Sequence, residues 1–114
     1  MDKSSTGLDE NVAGLLCYVL SWVSGLVFIL IEKENKFVRF HAVQSIVTFG
    51  SIMIASIALS ILGSIPFLGV VFDIANWIIG VLAFVLWIVL MVKAVQGTKY
   101  KLPWAGDFAE KRIG

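Results

Sequence analysis

Charge is the scarcest ingredient of this 114-residue chain. Asp, Glu, Lys and Arg make up 15% of it and hydrophobic residues 59%, where an ordinary soluble domain has about 25% and roughly 45–50%. A fold this short leaves much of its area facing its surroundings, so a small soluble domain is excluded and the expected solvent is lipid. Cysteine occurs once, at Cys17. No intrachain disulfide can form, and redox chemistry does not reveal the compartment. Histidine also occurs once, at His41, with no cysteine or carboxylate at ligand spacing, so neither a metal site nor a cofactor is expected. GxSxG, HExxH, CxxC, Walker and dinucleotide fingerprints are all missing, and "GSIPFLG" lacks the lysine of a phosphate loop. With a net charge of +1 and no basic stripe, nucleic acid is not an expected partner.

What the chain does have is long apolar runs. Residues 11–31, "NVAGLLCYVLSWVSGLVFILI", carry no charge and are long enough to cross a hydrocarbon core of about 30 Å. Between Phe40 and Phe72 the one ionisable side chain is His41, and Pro66 between Gly63 and Gly69 marks a turn. Two further spans are therefore expected at about 42–62 and 70–92. The reading is an all-α integral membrane bundle of three transmembrane helices in a single domain, with a cytosolic loop over 32–41. A cleaved signal peptide fits the first run poorly, because its flank is acidic and the run exceeds an ordinary h-region. Lys33, Lys36, Arg39 and five basic residues of the tail fall on one side of such a bundle and Lys3 on the other. That places the N-terminus outside and the C-terminus in the cytosol of a multi-pass cell-membrane protein. The tail, 93–114, spaces Tyr100, Trp104 and Phe108 among lysines and reads as interfacial, with Asp107 and Glu110 capping a short helix.

Each expected span carries one polar or small-residue face. Gly14, Cys17, Tyr18, Ser21, Ser24 and Gly25 share a face of the first; His41, Gln44, Ser45 and Thr48 of the second; Asp73, Asn76, Trp77, Gly80 and Ala83 of the third. Lipid tails give helices no hydrophobic drive to associate, so such faces hold bundles together. Gly14, Ser21, Gly25 and Gly80 are the expected packing positions. The same stripes allow a second reading, a polar conduit. Asp73 either reaches headgroup water or faces the bundle beside Asn76.

One charged island, "IEKENKFVRFHAVQS", interrupts the apolar sequence at 31–45. Its first half reads as hydrated loop. Its second half offers a polar cluster of Arg39, His41, Gln44 and Ser45 at the cytosolic mouth. Spacing turns His41 and Gln44 inward and leaves Arg39 to snorkel toward headgroups. His41 either ties the loop to its neighbours or exchanges protons there.

"EKENKFVRFHAVQS" after the first run and "LMVKAVQGTKYKLPWAGDFAEK" after the last together resemble a family of small uncharacterised prokaryotic membrane proteins, across about Asn11 to Lys111. That family is similar, more distantly, to a small membrane subunit of the chloroplast inner-envelope protein-import machinery. The resemblance implies a link to protein translocation. Composition and resemblance together lead to a non-enzymatic helix-packing or assembly module whose partners are the bilayer and its own copies or other membrane proteins. The alternative is an oligomeric conduit for protons, ions or small solutes. An intramembrane enzyme lacks its paired catalytic groups.

Overall fold

The computed structural model describes residues 3–113 and is all-helical: α1 (Glu10–Val19), α2 (Trp22–Ile31), α3 (Lys36–Leu62), α4 (Gly69–Val95) and α5 (Ala105–Ile113). The expected first span is not one helix. Ser21 adopts φ 54°, in the left-handed region, and the chain reverses there. Each half has 10 residues, so each reaches about 15 Å, half of a hydrocarbon core. The far ends of the two helices meet again. Ser5 N–H donates to the Glu32 carboxylate at 2.9 Å, and Asn35 Nδ2 donates to Glu10 at 2.9 Å. The α1–α2 unit is a hairpin whose two ends lie together. The first run is thus two short helices in place of the single crossing helix expected, and the N-terminal segment lies beside the first loop.

A break within an apolar run stands only if its freed backbone groups find partners. Here they do. Ser24 Oγ accepts from Leu20 N–H at 3.1 Å and donates to the Cys17 carbonyl at 3.0 Å. Trp87 Nε1 donates to the Tyr18 carbonyl at 2.6 Å, and Ser45 Oγ to the Ser21 carbonyl at 2.8 Å.

Among the described residues two helices are long and apolar enough to cross a membrane, α3 and α4, each with 27 residues. Asn35 starts α3 by accepting from Val38 N–H, so the helix begins at Lys36, ahead of the expected 42, and the loop shrinks to its first few residues. The turn falls where Pro66 placed it. A Cβ on Gly69 would collide with the Gly63 backbone, so the close approach of the two helix ends requires glycine.

The core lies at one end of a molecule 54 Å long. All the buried residues of α3 fall between Val38 and Phe49, while Ile54, Ile57 and Ile61 beyond them are exposed. The tail is more than an appendage. Helix α5 packs on α3 and buries Ala105 and Ala109, while Trp104 stays exposed. Lys101 holds the first turns of α5 through Glu110 at 3.0 Å and Asp107 at 3.9 Å.

Candidate functional site

His41, Gln44, Ser45 and Thr48 on α3 are all buried; the first three meet the hairpin, and Thr48 lines a groove with Leu86 and Leu102. Gln44 is the centre of this face. Its Nε2 donates to Tyr18 Oη at 3.0 Å and to the Tyr100 carbonyl at 2.9 Å, and its Oε1 accepts from Leu102 N–H at 2.9 Å. One side chain thus joins hairpin, membrane helix and tail. Tyr18 Oη lies 2.6 Å from His41 Nδ1. Gln44 donates to that hydroxyl, and the tautomer of the His41 ring decides whether Tyr18 Oη or Nδ1 gives the proton between them. Phe37, Phe40 and Tyr18 surround the imidazole edge-on, with centroids 4.5, 5.3 and 5.4 Å away. Thr48 Oγ1 makes no hydrogen bond among the described residues; His41 Nε2 makes none of close geometry, although the Thr98 backbone is near enough to act on the ring as an acceptor.

Arg39 does not join this cluster or snorkel to headgroups. It is half-buried, and its Nη1 donates to the carbonyls of Glu32 and, at 3.3 Å, Ile29. A guanidinium there satisfies carbonyls at the C-terminal end of α2 and meets the negative end of its dipole. Ser45 bonds the hairpin tip rather than His41 or Gln44.

Of the expected packing glycines, two are at contacts. A Cβ on Gly14 would lie 2.9 Å from the Phe37 ring, and one on Gly25 would lie 2.8 Å from the Ala42 carbonyl and 3.0 Å from Ser45 Cβ. Ser21 contributes through its carbonyl at the break, not as a small helical residue. Gly80 is exposed and a Cβ there would meet nothing within 4 Å, which corrects its assignment to a helix contact. It faces an open apolar groove with Ala83, Phe84 and Trp87, under the hairpin tip. Asn76 crosses between α4 and α3, accepting from Ser56 Oγ at 2.7 Å and donating to Ser60 Oγ at 3.0 Å. Asp73 is exposed at the far end of the molecule, close to Gly63.

The charged island holds a buried feature that the reading as hydrated loop missed. Glu32 is fully buried and accepts from Ser5 N–H, Ser5 Oγ, Glu34 N–H at 3.2 Å and Asn35 N–H at 3.0 Å. Burial alone would raise its carboxyl, but these donors, led by the Ser5 hydroxyl, outweigh it and hold the group at about 2. The one signal in the sequence was Asn35 just before the helical run, a capping residue that accepts from Val38 N–H three residues on.

An all-helical chain with two segments of crossing length and an apolar exterior is a membrane protein in class. The chain matches the magnetosome magnetite crystal formation protein family over residues 8–109 and belongs to it. Two of its relatives are UPF0132 membrane proteins of Methanocaldococcus jannaschii. One is 49% identical over 97% of this chain and 94% of its own length, the other 48% over 92% and 71%. A UPF0132 membrane protein of Archaeoglobus fulgidus is 45% identical over 94% of this chain and 98% of its own. These matches establish the resemblance to small uncharacterised prokaryotic membrane proteins. The further likeness to the chloroplast import subunit, and with it the translocation link, finds no support in them. No solved structure matches the chain.

Proposed function

We propose that this chain is a non-enzymatic membrane module that packs against its own copies or other membrane proteins, with its termini in the cytosol. One observation carries the reading. The polar side chains of the interior bond one element to another, from Gln44 and Ser45 to Arg39 and Asn76, so the stripes act as helix glue. The grooves open outward and are mainly apolar, such as the one lined by Gly80, Ala83 and Phe84. Orientation rests on the basic residues. With the hairpin re-entrant, all nine Lys and Arg belong to segments at the end carrying the termini, and the far turn, 63–68, has none.

The test is the mass of the purified chain in detergent and in lipid nanodiscs. Packing with its own copies predicts a defined multiple of 12.5 kDa in both. A strict monomer that retains no other membrane protein through mild extraction would refute the assembly reading. The conduit reading keeps one point in its favour, Thr48 Oγ1 on the α3 stripe, which has no partner among the described residues. It predicts pH-dependent flux in proteoliposomes that His41→Ala abolishes while the helices stay folded.

A further inference from the structure

The two ends of this molecule do not have the same girth. From Lys36 to Phe49 of α3, four helices run side by side, with α1 against α3 and α4 and α2 against α3, and α5 is docked there as well. The Tyr18 ring meets Phe49, the middle residue of α3, at 6.4 Å, and the hairpin turns back just beyond. From there to the far turn α3 and α4 continue alone.

Three observations place the hairpin tip inside hydrocarbon. Its exposed residues, Val19, Leu20 and Val23, are apolar. Its backbone groups are bonded to Ser24, Ser45 and Trp87 as described above, which water at the tip would make unnecessary. The outer face of α2 stays apolar along its length through Leu26, Val27 and Leu30, as a surface touching lipid requires. A helix with its side chains is about 10–12 Å across, so the leaflet holding the hairpin carries roughly 160–230 Å² more protein cross-section than the other. The added pair is not free to swing. Gly25 is locked against Ala42 and Ser45, Gly14 against Phe37, and the base is closed by Glu32 and Asn35.

We infer that the chain is a rigid wedge whose ligand is a curved bilayer, convex on the side that carries the termini. Extra cross-section in one leaflet is relieved when that leaflet is the outer one of a bend, so the protein both favours and stabilises such curvature. A single copy has this shape, so the inference stands apart from the assembly reading.

The experiment uses the full chain carrying Lys111→Cys, an exposed tail position, while the buried Cys17 stays unlabelled. The dye-labelled protein is reconstituted into giant vesicles of phosphatidylcholine and phosphatidylglycerol, and a narrow membrane tube is drawn from each vesicle. Dye attached from outside after reconstitution marks molecules with the tail outward. Dye attached beforehand and quenched from outside leaves only those with the tail inward. Tail-outward molecules are expected to be denser in the tube than in the parent vesicle, and tail-inward molecules sparser. Equal density in tube and vesicle for both populations, or a shift of the same sign in both, overturns the wedge. Because the shift must change sign with orientation, crowding cannot imitate it, and enrichment that stays the same on dilution of the protein excludes self-association as its source.

Discussion

Replacing Gln44 with alanine is the sharpest probe of how the tail is held. Three hydrogen bonds vanish together: to Tyr18 Oη, to the Tyr100 carbonyl and from Leu102 N–H. If the tail stayed in place, two backbone groups would be left unpaired, at about 1–3 kcal/mol each. Release of the tail lets both recover water or headgroup partners, so release is the cheaper response. At about 1 kcal/mol net per bond, the two bonds that reach the tail should cost its docked state about 2 kcal/mol, roughly thirtyfold in the opening equilibrium, while the Tyr18 bond, between α3 and α1, is lost whether the tail is docked or open. The assay is amide exchange at Leu102 and at Gly106, whose N–H donates to the Leu102 carbonyl at 2.9 Å, together with tryptic cleavage after Lys101. Gln44→Glu should resemble alanine rather than the parent, because a carboxylate can take the Leu102 N–H but cannot donate to Tyr100. Unchanged exchange at both amides in Gln44→Ala would show that α5 is held by Ala105 and Ala109 alone and refute the reasoning.

Gly25→Leu and Gly80→Ala should move stability in opposite directions in detergent melts. The first drives side-chain atoms into Ala42 and Ser45 at a cost of about 1–3 kcal/mol, and the second adds a Cβ in open space, where leaving glycine gains about 0.5–1 kcal/mol. Asn76→Leu removes both bonds between α4 and α3 and should cost about 0.6–2 kcal/mol, read as a lower melting temperature. Glu32 sits at about 2 in the folded chain, below its ordinary 4.5, so its contribution is fully present above 4.5 and lost as pH falls through about 2. Protection of the Ser5 amide should fade over that window in the parent and show no such pH step in Glu32→Gln.

How much of this was legible follows from what each signal depends on. The turn at Pro66 is local chemistry and was read directly, as was the inward stripe of α3, because helical spacing alone decides which side chains share a face. The hairpin was not legible. An uncharged run of suitable length satisfies the rule for a span whether or not it bends, and a serine at φ 54° leaves no compositional mark. What stabilises the bend, Trp87 and Ser45, comes from distant sequence. Arg39 was misjudged for a related reason: a long cation near a membrane surface suggests headgroups, and the α2 carbonyls it meets exist as an end only because the chain stops there. Gly80 shows the converse error. Small residues permit close approach, but they do not create the neighbour.

The arrangement of the first 35 residues decides between a three-span protein and the re-entrant one, and labelling can settle it. In the structure the N-terminal segment is bonded to the first loop through Ser5 and Glu32, so Lys3 and Lys33 must share a side, together with Lys99 in the tail. Ser64, in the far turn, must lie on the other. A membrane-impermeant maleimide offered to intact cells should therefore label Ser64→Cys and spare Lys3→Cys, Lys33→Cys and Lys99→Cys. Inverted vesicles should give the reverse, and the buried Cys17 should stay unlabelled in both. Two failures are distinguishable. Lys3 and Lys33 on opposite sides would mean that α1 and α2 form one crossing helix and would remove both the hairpin and the wedge. Lys3 and Lys33 together on the outside, with Ser64 in the cytosol, would keep the hairpin and reject the orientation. That second outcome would require nine basic residues to be carried across the bilayer while a turn without any remained behind, against the bias that lysine and arginine impose on short flanking segments.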